Sequence, residues 1–193
     1  DSKFLHFGSV SLSGGAARNG TIFAARSARQ AGILVSYDPN YRPALWRDES
    51  EAIEWMRIPL PLVDIIKLSE EELPLLTGSD SLEEGSRLLT EQGISLVFVT
   101  LGGAGSFCRW QNECFTVPGV SVKVADTNGA GDTFLGAVLS RLCLRGEKPL
   151  EGLTRAELEN ILTFANRAAS LTCSRSGAIP AMPTLAELKG CLE

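Results

Sequence analysis

Three short runs constrain this chain more than anything else in it: ILVSYD at 33–38, LVDIIKL at 62–68 and SLVFVTL at 95–101. Each is rich in β-branched residues and too short to be a self-sufficient helix. A continuous apolar run of this length suits a strand covered on both faces. Between the runs the apolar spacing shifts to a helical period, over 15–31, 49–58, 70–77 and 80–92. Strands separated by helices are joined by crossovers, and crossovers connect parallel strands. The pattern predicts an α/β fold with a doubly wound, mainly parallel sheet, in one domain spanning residues 1–193.

Punctuation sets the boundaries. Gly32, Gly78 and Gly93 stand where helix C-caps are expected. Ser69 and Glu72 have capping-box spacing. Residues 3–10 and 120–127 read as further strands, and GSFCRW with ECFTVPG reads as a hairpin around Gln111 and Asn112. Helices are expected over 130–145, 154–173 and 184–191. In parallel sheets, ligands bind beyond the carboxyl ends of strands. Asn40 and Arg42, Lys67 to Glu72, Thr100 to Gly105, and Asp126 to Asp132 all fall at such ends.

Composition excludes several functions. The net charge of −5 leaves no basic surface for nucleic acid. Five cysteines (Cys108, Cys114, Cys143, Cys173 and Cys191) are an odd number with no CxxC pair. Neither a disulfide framework nor a zinc site is indicated, and Cys108 and Cys114 read as reduced thiols. No apolar run reaches the ~18 residues of a membrane span, and the N-terminus lacks a signal-peptide pattern. A cytoplasmic protein with no membrane partner is expected. The chain enters a strand-like run almost at once, which suggests further residues upstream. His6, the single histidine, reads as a core or edge residue; Trp46, Trp55 and Trp110 read as packing residues.

The stretch DTNGAGDTF at 126–134 carries the chemistry. Small residues let the backbone approach a ligand closely. The first N–H groups of the following helix lack intrahelical partners and point outward with the positive end of the dipole, forming an anion site. The stretch is neither a Walker A loop nor a dinucleotide fingerprint. Asp132 is the unusual element, because a carboxylate beside an anion site repels phosphate unless it has another use. It can take a proton from a substrate hydroxyl while the amides stabilise a transferring phosphoryl group. It can also be a first-turn acid favoured by the dipole alone.

DTNGAGDTF resembles the signature of the PfkB, or ribokinase-like, carbohydrate kinases. Other segments extend the resemblance over nearly all of residues 3–188. YDPNYRPALW is similar to the DxNxR segment of fructokinases and 2-keto-3-deoxygluconate kinases, and KLSEEE to the family's (N/S)xxE segment. TLGGAG resembles its nucleotide loop, and FANRAASLTCSRSGAIPAMPT its adenine-side segment. Fructokinases are the nearest likeness.

The resemblance implies ATP-dependent phosphorylation of a sugar hydroxyl, with fructose first. Kinases for 2-keto-3-deoxygluconate, ribose or aminoimidazole riboside are alternatives, as is a non-catalytic nucleotide-binding remnant. It implies Asp132 as base, the N–H groups of Gly129, Ala130 and Gly131 as anion hole, and Arg42 near the transferred phosphate. Lys67, Ser69, Thr100, Gly102 and Gly105 would line the nucleotide, with Asn166 and Ser170 beside adenine. Glu72 would help hold Mg²⁺, in part through water. Asp126 and the Asn128 carbonyl would contribute to a K⁺ site, although Ala181 stands where ribokinases often place a serine for that ion. Asp126 reads equally as a turn former. The family's early sugar-gripping segment and its β-sheet lid are not recognisable in the sequence. The chain alone is therefore expected to bind ATP weakly and to turn over poorly, and to form a homodimer or pair with the missing N-terminal part.

Overall fold

A computed structural model describes residues 2–189. Contacts divide the chain into two units: Asp1–Thr100 with Phe107–Phe115, and Leu101–Ser106 with Thr116–Glu193.

A six-stranded sheet runs in the order β1-β2-β3-β4-β5-β6. Its strands are β1 (Phe4–Gly8), β2 (Leu34–Asp38), β3 (Ile65–Ser69), β4 (Leu96–Thr100), β5 (Gly105–Trp110) and β6 (Glu113–Pro118). β1 to β4 are parallel, with Gly8 opposite Asp38 and Ser69 opposite Thr100. β5 and β6 are joined only by Gln111 and Asn112, so they run antiparallel. Gln111 takes a left-handed φ of 54°, as such tight hairpin turns require. The sheet is mixed but mainly parallel, as the sequence pattern predicts.

The apolar runs are covered on both faces. Val35, Tyr37, Ile65, Ile66, Leu68, Leu96, Val97, Phe98 and Val99 have no exposed surface. Neighbouring residues along a strand point to opposite sides, so full burial of consecutive residues means cover on both. The crossovers carry α1 (Gly15–Gln30), α2 (Glu49–Arg57), α3 (Glu72–Thr77) and α4 (Leu82–Glu91). Asp48 caps α2 and Ser81 caps α4 through backbone N–H groups three residues on.

β3 begins later than the run LVDIIKL suggests. Leu60–Leu62 form a 3-10 turn closed by the Val63 N–H on the Leu60 carbonyl. The Asp64 carboxylate accepts from the Val35 N–H at 2.8 Å. Asp64 thus ends the turn and registers β3 against β2 before regular pairing starts.

In the second unit, α5 (Ala130–Cys143) packs against α6 (Arg155–Cys173). The Thr133 and Thr172 hydroxyls meet at 3.0 Å, and the Arg141 guanidinium lies 3.7 Å from the centre of the Phe164 ring. A Thr154–Glu157 capping box opens α6. A short α7 (Leu185–Lys189) follows; the rest of the helix expected over 184–191, including Cys191, lies outside the described residues.

One expected strand is absent: 120–127 forms no ladder. Its alternating VSVKV pattern reads as β, yet Val120 and Val124 are exposed. The Ala125 and Asp126 N–H groups donate to the Cys173 carbonyl at 2.8 and 3.2 Å. The segment therefore satisfies its backbone against the end of α6, not against a neighbouring strand. Cys108, Cys114, Cys143 and Cys173 are free, and burial raises the Cys108 thiol far above its ordinary value.

Candidate active site

Parallel register brings the ends of β2, β3 and β4 to one edge of the first unit. Asp38 closes β2 and is buried, and its Oδ2 accepts from Lys67 Nζ at 3.0 Å. The side chains of this pair are only 8% and 5% exposed, so each charge relies on the other in place of water. Asp38 Oδ1 accepts from the Asn40 N–H at 3.1 Å, and Asn40 adopts a left-handed φ of 46°. Asparagine tolerates that conformation better than most residues.

Glu72 does similar work from the other side. Its Oε1 accepts from the Tyr41 N–H at 2.7 Å and its Oε2 from the Ser69 N–H at 2.8 Å. The Glu72 N–H donates in turn to Ser69 Oγ at 3.3 Å. The capping box legible in KLSEEE is therefore formed, although regular helix starts only at Glu72. Arg42 projects from the held segment. It is exposed, with Nη1 donating to the Tyr41 carbonyl at 3.1 Å. Thr100, at the end of β4, donates to the Leu68 carbonyl at 3.2 Å.

In the second unit, Gly102 is exposed in a 3-10 turn, Gly102–Ala104, with φ of 54°. Gly105 is buried with φ of 112°, and a Cβ there would lie 2.1 Å from the Val117 carbonyl oxygen. The glycine is thus required by close backbone approach at the hairpin base. Asn166 and Ser170 share one face of α6, as their spacing of four predicts. Asn166 is 5% exposed and donates to the Val117 and Pro118 carbonyls at 3.1 and 3.2 Å. Ser170 Oγ lies 3.1 Å from the Val120 carbonyl. Both residues hold the chain at the end of β6, a partnership that no local spacing signals.

Asp126 bridges two loops. Oδ1 accepts from the Asn128 N–H at 3.0 Å and Oδ2 from the Gly177 N–H at 3.1 Å. These amides hold its carboxyl below the ordinary aspartate value. Gly129 follows as the N-cap of α5 with φ of 80°, and a Cβ there would come within 3.3 Å of Ala178 Cα. The Ala130 N–H donates to the Thr127 carbonyl at 3.3 Å. The N–H groups of Gly131 and Asp132 lie in the first turn, where no intrahelical carbonyl is available. Asp132 is exposed, and among the described residues its carboxylate has no bonded partner.

Among the described residues no group of three or more His, Cys, Asp or Glu side chains converges to hold a metal. Glu72 and Asp126, the two acids expected near ions, each already accept two backbone N–H groups. The first-turn amides of α5 have no intrahelical partner, and in the first unit Arg42 is exposed. No described helix is long and apolar enough to cross a membrane.

The mainly parallel sheet with helical crossovers is an α/β architecture, and in the second unit a glycine opens α5 beside the exposed Asp132. Residues 1–185 match the model for the pfkB family carbohydrate kinases, and the chain belongs to that family. It is 38% identical to fructokinase-1 of Oryza sativa subsp. japonica over 192 residues, covering 98% of this chain and 58% of that protein. A fructokinase double mutant from Vibrio cholerae O395, solved with fructose, ADP and potassium ion, superposes with a TM-score of 0.91 at 34% identity, covering 100% of this chain and 61% of that one. Aminoimidazole riboside kinase from Salmonella enterica, complexed with aminoimidazole riboside and an ATP analogue, gives a TM-score of 0.87 at 28% identity, covering 100% and 63%. The chain thus spans about three fifths of the length of these relatives.

Proposed function

We propose that this chain carries the nucleotide-binding and phosphoryl-transfer part of an ATP-dependent sugar kinase, with fructose as the acceptor. Family membership and the fructokinase relatives support the reaction class and the sugar. The observation that carries the reading is Asp132, an exposed acid without a partner among the described residues, one residue past a glycine turn whose amides point outward.

Asp132 accepts the proton of the attacking sugar hydroxyl. The first-turn amides at Gly131 and Asp132, with the N–H of Gly129, stabilise charge on the transferring group. Each such donor is worth roughly 2.7–4 kcal/mol in comparable sites. Ala130, whose amide already serves the Thr127 carbonyl, contributes less than its neighbours. Arg42 offers a planar fork to phosphate oxygens, and exposed Gly102 leaves room for the nucleotide backbone. Glu72 would help hold Mg²⁺ in part through water, and the ion would neutralise charge on the phosphates. Asp126 and the 173–177 loop form the region where a K⁺ ion would act. Asp126 there orders the turn that feeds α5.

The test is ADP release and sugar-phosphate formation with ATP and a panel of fructose, ribose, 2-keto-3-deoxygluconate and aminoimidazole riboside. The protein is assayed both as this chain and extended to its relatives' length. Fructose gives the highest kcat/KM in the extended protein, whereas this chain alone binds ATP weakly and turns over slowly. Asp132→Asn lowers kcat by about 10²–10⁴-fold, the usual span for a general base. Unchanged kcat removes Asp132 from that role, and no phosphorylation of any sugar sinks the proposal.

A further inference from the structure

Glu72 offers more than a metal contact, and its geometry points to a different duty. One oxygen holds the Tyr41 N–H at 2.7 Å, the other the Ser69 N–H at 2.8 Å, and the residue is 8% exposed. Tyr41 follows β2 and Ser69 ends β3, so a single carboxylate ties the segment after β2 to the end of β3. Charge-assisted bonds to backbone amides are short and strong, and both distances here are short. The opposite side of the same segment is fixed by Asp38, which takes the Asn40 N–H while anchored by Lys67. Asn40 and Tyr41, the two residues preceding Arg42, are thus each held by a carboxylate. Arg42 itself is exposed and its guanidinium meets only a local carbonyl, that of Tyr41, among the described residues. What fixes the direction of Arg42 is its backbone, and what fixes its backbone is Glu72.

We propose that Glu72 is a positioning residue: its carboxylate clasps the Asp38–Arg42 segment and so sets the direction in which Arg42 is presented to phosphate. The catalytic half of this statement rests on the kinase reading; the clasp itself does not. Replacing the carboxylate by an amide keeps the shape and leaves an acceptor for only one of the two N–H groups.

Two experiments separate the parts. The first is amide hydrogen exchange, resolved by NMR, on the chain in metal-free buffer without nucleotide. Glu72→Gln accelerates exchange at Tyr41 or Ser69 by about tenfold or more, while core amides such as Val97 keep their rates and report a folded protein. Glu72→Asp, which retains the charge but loses one methylene of reach, gives an intermediate change. Unchanged exchange at both amides overturns the clasp, whatever the protein catalyses. The second is phosphoryl transfer in the extended protein, with Glu72→Gln, Arg42→Ala and the double variant. If Glu72 acts through Arg42, the double variant is no slower than Arg42→Ala. Multiplicative rate losses overturn the positioning role. If no sugar is phosphorylated at all, the kinase reading fails while the exchange result still decides the clasp.

Discussion

Asp38, Lys67, Ser69 and Glu72 at the sheet edge of the first unit hold one another or nearby backbone, whereas the turn opening α5 in the second unit leaves Asp132 and its adjoining amides facing outward. The contrast follows from what burial does to polar groups. A buried charge must be matched where it sits, so the first cluster is satisfied within the fold and is rigid. An exposed acid at a helix start keeps water as its partner until a ligand replaces it, and a group that is already satisfied has little left to give a reaction. The polar groups of the first cluster are spent on the fold, whereas those at the start of α5 are left open.

The sharpest way to break this contrast is at Lys67. Lys67→Met strands the buried Asp38 carboxylate, and unfolding in urea should show a loss of about 3–5 kcal/mol. The matching substitution in the other region, Asp132→Asn, should stay within about 0.5 kcal/mol of the parent. Equal losses at the two positions would erase the distinction between a holding cluster and a presenting one. A smaller effect sharpens the description of the second unit, where Asn166 is the buried exception. Asn166→Ala leaves the Val117 and Pro118 carbonyls without their side-chain donor and should cost roughly 1–3 kcal/mol by the same measurement.

The smallest effect is a pH dependence at Asp126. Amides of Asn128 first and Gly177 second hold its carboxyl below the ordinary value of 3.8. A carboxyl lowered on folding contributes stability that is present above 3.8 and lost as pH falls through the lower folded-state value. The gap in Tm between the parent and Asp126→Asn should therefore be widest above that pH and close below it. Parallel Tm curves down to acid pH would show that the loop contact contributes nothing through charge.

Local pattern carried the fold well and the site only in part. The buried strands were legible because consecutive apolar residues report cover on both faces, and the Ser69–Glu72 box because its partners are three residues apart. The bond from Tyr41 to Glu72 spans 31 positions, and no spacing rule reaches that far. The 120–127 segment misled for a related reason. Alternation describes which side chains could face a core, but only tertiary contacts decide whether a neighbouring strand or the Cys173 carbonyl takes the backbone N–H groups. The spacing of Asn166 and Ser170 puts them on a common face, while the chain they grip is visible only in three dimensions.

Gly105 has a practical consequence for anyone who wants to watch a nucleotide arrive. The Val117 oxygen occupies the space its side chain would need, but two positions earlier Gly103 is exposed with nothing within 4 Å of a built Cβ. A fluorescent reporter can be attached at 103 without disturbing the hairpin base, next to the loop where phosphates are expected, while the same label at 105 would force β5 and β6 apart. The TLGGAG segment thus contains both the best and the worst place for an optical probe, separated by a single alanine.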